Sequence, residues 1–167
     1  MGKINIPTIK SAIKTILDDN NTTTSSILDL SDGMSKRVIQ VATLNPEDFM
    51  LQSSKFPAVT IHTEKKPIEP ATIALNQVNG KRKGLLNFKV TGLVWNQNFK
   101  ANIFNDPASD DLEHLMENIE YVLRNYPDLS SNVTWQIPSD VTYHTANFDE
   151  QTHFRVGFLD IEATIYY

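Results

Sequence analysis

From Leu159 onward the sequence alternates strictly: Leu159, Ile161, Ala163, Ile165 and Tyr167 are apolar, and Asp160, Glu162 and Thr164 are polar. Successive side chains of an extended chain point to opposite faces, so a period of two marks a strand with one dry and one wet face. The pattern runs to the last residue and predicts a C-terminus tied into a sheet. Just before it, Phe154, Val156 and Phe158 are apolar at the opposite parity. Either a bulge shifts the phase there or both faces of that half are covered. Such a strand cannot be satisfied alone, so the fold must supply a sheet and something to cover its apolar face.

Two helices are the natural cover. Pro7 suits the first position of a helix, and Ile6, Ile9, Ile13, Ile16 and Leu17 follow at helical spacing before Asp18-Asp19-Asn20 ends the run. The second helix opens at Asp106-Pro107 or Ser109. Leu112, Leu115, Met116, Ile119, Val122, Leu123 and Tyr126 recur at steps of three and four as one apolar stripe. Asp110, Glu113, Glu117 and Glu120 lie on the far side of it, with acids in the first turn favoured by the helix dipole. Tyr126-Pro127 closes it, because a residue before proline avoids the helical region.

The remaining signals are β. Pro57 to Thr63 predicts a strand with Val59 and Ile61 inward, and Leu86, Phe88, Val90 and Val94 form one face of another, opposed by Asn87, Lys89 and Thr91. Between them, about 64–84 predicts a long hairpin arm with a weak strand at Thr72 to Val78 and a turn at Asn79-Gly80. Val133, Trp135 and Ile137 alternate before Pro138, Val141 and Tyr143 suggest a further strand, and Asp149-Glu150-Gln151 turns the chain into the last one. Earlier, Asn20 to Ser26 predicts a loop, Ile27 to Leu30 and Lys36 to Leu44 a hairpin around Asp32-Gly33, and Asn45 to Asp48 a turn or one short helical turn. The expected architecture is α+β. It is a single domain over 1–167, a mostly antiparallel twisted sheet packed by an N-terminal helix and a central amphipathic helix over about 107–126, with a β-hairpin arm. A chain of this length buries roughly 70 % of its unfolded surface, which suffices for a core.

Chemistry is sparse. The chain has no cysteine, which excludes disulfides, thiolate zinc sites and cysteine nucleophiles. Its net charge of −5 argues against a general nucleic-acid binder. No apolar run is long enough for a signal-peptide core or a membrane span, so Asn20, Asn21 and Asn132 read as chance sequons and the expected compartment is cytoplasmic. Phosphate-binding glycine loops and the nucleophile-elbow pattern are missing. Asp110, His114 and Glu117 share a helix face at spacings of four and three, but a solvated face explains them without a metal. His144 or His153 near Asp149 and Glu150 reads as a surface turn rather than an acid–base pair. No catalytic residue, cofactor or metal is expected. The dense positive patch is Lys81-Arg82-Lys83, either a solvated tip or an electrostatic contact with DNA or with an acidic partner surface, the acidic helix face of a neighbouring copy being one such surface. Trp95 and Trp135 read as core or interface anchors.

The order of elements resembles a known family. A leading amphipathic helix is followed by the strand F-P-A-V-T-I-H-T, a long arm, the strand L-N-F-K-V-T-G-L-V-W, the acidic helix D-L-E-H-L-M-E-N-I-E-Y-V-L, and a hairpin ending in tyrosine. This resembles the tail terminator, or tail completion, proteins of tailed bacteriophages, over roughly Met1 to Tyr167 and as a pattern rather than a diagnostic motif. The resemblance implies a virion structural protein, made in the host cytoplasm, that forms a homo-oligomeric ring, typically a hexamer. Such a ring sits on the head-proximal end of the tail tube, ends tube polymerisation and presents the head-joining surface. The implied partners are other copies of the chain, the tail tube protein, and sheath and neck or connector proteins. Neither membrane nor sequence-specific nucleic acid is involved; DNA only passes through the ring. The stretch Asn20 to Leu44 has no clear counterpart, which keeps a neck or head–tail joining role in view. Interface candidates are Lys81, Arg82, Lys83, Asp110, Glu113, Glu117, Glu120, Phe154, Val156 and Phe158. A small enzyme or ligand-binding domain with a pocket between sheet and helix 107–126 is the competing class.

Overall fold

The computed structural model describes residues 5–22, 26–30, 37–45, 56–65, 71–72, 82–96, 107–147 and 153–166. Two helices, α1 (Ile6–Asp19) and α2 (Pro107–Arg124), pack with the strands β1 (Gln40–Ala42), β2 (Ala58–Lys65), β3 (Ala71–Thr72), β4 (Arg82–Asn96), β5 (Trp135–Asn147) and β6 (His153–Tyr166). The sheet runs β1-β2-β4-β6-β5, with β3 pairing to the start of β4. Every pairing is antiparallel except β1 with β2, which is parallel. The α+β architecture and mostly antiparallel sheet are therefore as the sequence predicts.

The first helix forms for local reasons. Asn5 caps it, its side chain accepting from the Thr8 N–H at 3.3 Å, and the amide of Asn20 returns to the Ile16 carbonyl at 2.8 Å at the other end. Pro7 sits one residue later in the first turn than the sequence suggests, after Ile6. Ile9, Ile13, Ile16 and Leu17 are buried, each adding about 1.5–3 kcal/mol of transfer free energy. In α2 the whole predicted stripe is buried except Tyr126, which lies beyond the helix end at Arg124 and stays partly exposed.

Both helices cover one face of the sheet. Leu86, Phe88 and Val90 of β4 meet Ala163, Ile161 and Leu159 of β6 as cross-strand partners, and all belong to the core shared with α1 and α2. At the centre, Gly92 and Gly157 are cross-strand partners, and Met116 of α2 drops onto the notch between them. A Cβ on Gly157 would lie 2.6 Å from Met116 Cγ. The interface between sheet and α2 is filled at that point.

The β4–β6 register runs without interruption from Lys83↔Tyr166 to Asn96↔His153. No bulge in that ladder accounts for the change of apolar parity in β6, so the alternative holds: its first half is covered on both faces. Phe154 and Val156 are buried with Ala42, Phe56, Ala58 and Leu93 in a second cluster on the face away from the helices, and Leu44, Trp95 and Phe158 pack against it. Phe56, Trp95 and Phe154 form an aromatic trio with centroids 4.8–5.6 Å apart, the Trp95–Phe154 pair edge to face.

Several expectations need correction. Of the hairpin expected over 27–44, the described residues show an isolated antiparallel bridge, Asp29↔Arg37; its Asp32-Gly33 turn lies outside the described residues, and Gln40–Ala42 joins β2 in parallel. Val133 is buried, but Trp135 and Ile137 point outward while Gln136 and Pro138 point inward. The cause is Gln136, whose side-chain amide donates to the Leu123 and Tyr126 carbonyls at 2.7 and 3.1 Å at the C-terminal end of α2. The stretches around Pro138 and Val141 form one strand with a register shift between them, not two. The arm is a hairpin at its base, with Ala71↔Lys83 and Thr72↔Arg82 paired; the expected strand over 73–78, the Asn79-Gly80 turn, the Pro46-Glu47-Asp48 turn and the turn at Asp149 to Gln151 lie outside the described residues.

Candidate functional site

The sheet ends in β5, and its outer edge is the most distinctive exposed feature. At its start the edge is closed, because the Gln136 N–H donates to the Pro127 carbonyl at 2.7 Å. From Ile137 to Asn147, no backbone group among the described residues pairs with the outer side of the strand. Residues Ser139, Asp140 and Thr142 to Thr145 are exposed around it. Large apolar side chains flank this edge on both faces: Trp135 (49 % exposed) and Ile137 (40 %) away from the helices, and Tyr143 (45 %) on the helix side. An edge of this length, with unpaired N–H and C=O groups, is a template for an added strand.

The acidic side of α2 borders the same edge. Asp110, Glu113 and Glu117 are exposed; Glu120 is half-buried and accepts from Arg124 Nε at 2.7 Å. Burial holds the Tyr143 phenol above its ordinary pKa, and the carboxylates of Glu113, Glu117 and Glu120 push it further in the same direction. The flank of α2 beside the edge strand therefore carries three carboxylates, of which Glu120 is ion-paired with Arg124. His114 turns away from them, with Nε2 3.5 Å from Asp29 Oδ1. Among the described residues, no three His, Asp or Glu side chains are grouped to hold a metal ion.

On the face away from the helices, Lys89 donates to Glu64 Oε1 at 2.8 Å, pairs with Asp160 Oδ1 at 3.5 Å and lies 5.5 Å from the Phe158 ring centroid. The hydrogen bond to Glu64 raises the Lys89 pKa. His62, the cross-strand neighbour of Lys89, is held below its ordinary pKa, first by burial and then by the Lys89 charge. Lys89 is thus held between two carboxylates, while the buried His62 Nδ1 has no hydrogen-bond partner among the described residues.

The sequence-derived candidates thus separate. Glu113, Glu117 and Glu120 lie within electrostatic reach of the β5 edge at Tyr143, and Asp110 is exposed near the start of α2. Phe154 and Val156 are internal, leaving Phe158 half-buried beside Lys89 and His144, whose ring centroid is 5.5 Å away. Arg82 and Lys83 open strand β4 rather than capping a turn, and Lys81 lies outside the described residues. Sequence reading missed Trp135, Ile137 and Tyr143 as exposed flanks of an edge; Pro138 was the available signal, since proline within a strand favours an edge position. A shallow cavity of about 230 Å³ lies elsewhere, between α1 (Thr15, Asp19) and the turn after α2 (Tyr126, Ser130, Asn132). That turn carries three consecutive positive φ values at Leu129, Ser130 and Ser131, braced by Asp128, which accepts from the Ser130 N–H at 3.1 Å. Among the described residues, no helix is long and apolar enough to cross a membrane. No protein-family model matches the chain, and a search of curated proteins returns no significant match.

Proposed function

We propose that the chain is a non-enzymatic structural subunit of the tail-terminator kind, forming a ring on the head-proximal end of a phage tail tube, stopping tube growth and offering the surface that joins the head. The observation that carries this is the outer β5 edge, left without a backbone partner from Ile137 to Asn147 among the described residues, flanked on both faces by Trp135, Ile137 and Tyr143 and bordered by the acids of α2. A subunit that closes by head-to-tail contacts needs two different, complementary surfaces. The β5 edge lies on one side and the arm at β3 on the other. Met116 on Gly92 and Gly157 leaves no room for a ligand at the centre of the sheet–α2 interface, which weighs against the pocket alternative.

The test is direct. Purified protein is mixed with tail tubes and the tube ends are imaged by electron microscopy. The expected result is a ring on one end only and an arrest of tube lengthening in a polymerisation assay. Uncapped tubes of unchanged length, together with no binding to head connectors, would refute the proposal.

A further inference from the structure

We infer that the outer edge of β5 is the receiving half of a contact between copies, and that its occupant is the basic arm of a second copy, added as a further strand. This deepens, and rests on, the ring-subunit proposal above. Three observations select the occupant. First, the edge is open from Ile137 to Asn147 among the described residues, and it offers main-chain donors and acceptors rather than a pocket, so it fits an extended segment.

Second, α2 packs beside that edge, tied to it by Gln136 at its last turn, and the flank near Tyr143 carries the exposed Glu113 and Glu117, next to Glu120, which is paired with Arg124. Two β5 edges meeting antiparallel would bring two such acidic borders together, and like charges in apposition disfavour that isologous arrangement. A segment carrying positive charge is favoured instead, with a tyrosine face and carboxylates to receive it. The chain has one dense positive run, Lys81-Arg82-Lys83, and the described base of that arm pairs β3 to the start of β4.

Third, the arm springs from the side of β4 opposite to β6 and β5. Arm and receiving edge therefore lie on different sides of one subunit. Their contact is heterologous, so each subunit can give an arm to one neighbour and take one from the other.

The absence of cysteine permits a clean test on the full chain. One protein carries Thr142→Cys on β5 and a second, size-tagged protein carries Thr72→Cys on β3; they are mixed and treated with a short thiol-reactive linker, free and on tail tubes. The expected product is the mixed β5–arm adduct, in excess of β5–β5 and arm–arm adducts. K81E/R82E/K83E in the arm partner lowers its yield about tenfold, and E113K/E117K in the β5 partner restores it. A yield unaffected by charge reversal, a dominant β5–β5 adduct, or no adduct at all overturns the inference. Rings seen on tubes without the mixed adduct overturn this contact alone, whereas tubes left bare refute the ring proposal itself.

Discussion

The tightest point in the core gives the sharpest prediction. Gly157 and Gly92 are cross-strand partners, and neither sits in the left-handed region of backbone space, so alanine is conformationally allowed at both. What forbids it is Met116. A Cβ at Gly157 would stand 2.6 Å from Met116 Cγ, 2.8 Å from its Sδ and 3.3 Å from Leu112 Cδ1. Carbon atoms rest about 3.5–4.0 Å apart, so the overlap approaches 1 Å. Met116, Leu112 and Leu115 are all buried, which leaves the thioether little space to swing into. Overpacking of this kind costs about 1–3 kcal/mol. Loss of glycine's unfolded-state freedom returns about 0.4–1 kcal/mol. G157A should therefore destabilise by about 1–2 kcal/mol. M116A alone should cost about 2–5 kcal/mol through its cavity. In the M116A background the clash is gone, and G157A should become neutral or stabilising by up to about 1 kcal/mol. The sign reversal is the signature. G92A should cost less than G157A, because its nearest atom is Sδ at 2.7 Å, farther out along a flexible side chain than Cγ. Urea denaturation followed by circular dichroism, with equal slopes checked across the set, measures all four proteins. An equal cost of G157A with and without Met116 would refute the packing account.

Other outcomes follow from the same contacts. Gln136→Leu, which keeps the volume but removes one of the two hydrogen bonds at each of the Leu123 and Tyr126 carbonyls, leaving them the N–H groups of Tyr126 and Leu129, should destabilise by about 0.5–1.5 kcal/mol and speed hydrogen exchange in the last turn of α2; an unchanged urea midpoint would contradict this. The His62 pKa lies below its ordinary value in the folded state, so the unfolded chain binds the extra proton first. Its contribution to stability is then present above the ordinary histidine range and lost as pH falls through the folded-state value. His62→Gln should flatten the fall in urea midpoint on mild acidification. Removing charge with E113Q/E117Q should lower the Tyr143 pKa without returning it to the ordinary value, because burial is the larger cause; ultraviolet titration of the phenol reads this.

The parts of the fold legible in the sequence are those whose signal is local and periodic. α1, the stripe of α2 and the alternation from Leu159 all read correctly because each buries one face against the same core. The parity change in β6 was visible, but its cause was not. Two-sided burial of Phe154 and Val156 depends on Phe56, Ala58 and Leu93, which are distant in sequence. In β5 the alternation of Trp135 and Ile137 is legible but the face they take is not, since hydrophobicity alone favours them inside. The two hydrogen bonds that the Gln136 amide adds at the Leu123 and Tyr126 carbonyls outweigh it and hold Gln136 inward. The parallel pairing of β1 with β2 carries no local signature at all. For the candidate surface, the acids of α2 could be placed from spacing, whereas the edge they border could not, because strand order is a property of the whole sheet.

That edge also raises a problem which its own residues answer. A long open strand with exposed Trp135, Ile137 and Tyr143 invites indiscriminate pairing. Three devices restrain it. Pro138 cannot donate to a neighbour, and the register shift between Pro138 and Val141 bends the strand there. Gln136 N–H is already taken by Pro127. The carboxylates of α2 then set a charge condition on whatever approaches the helix side. Uncontrolled stacking of identical edges meets acid against acid, while a basic segment meets complementary charge. The contact is therefore selective through repulsion of the wrong partner as much as through attraction of the right one, and raising salt should weaken both together. Salt titration of copy-to-copy cross-linking separates this from a purely apolar edge. With charge in control, the mixed β5–arm adduct falls and the β5–β5 adduct rises as salt increases; an apolar edge would leave their ratio constant.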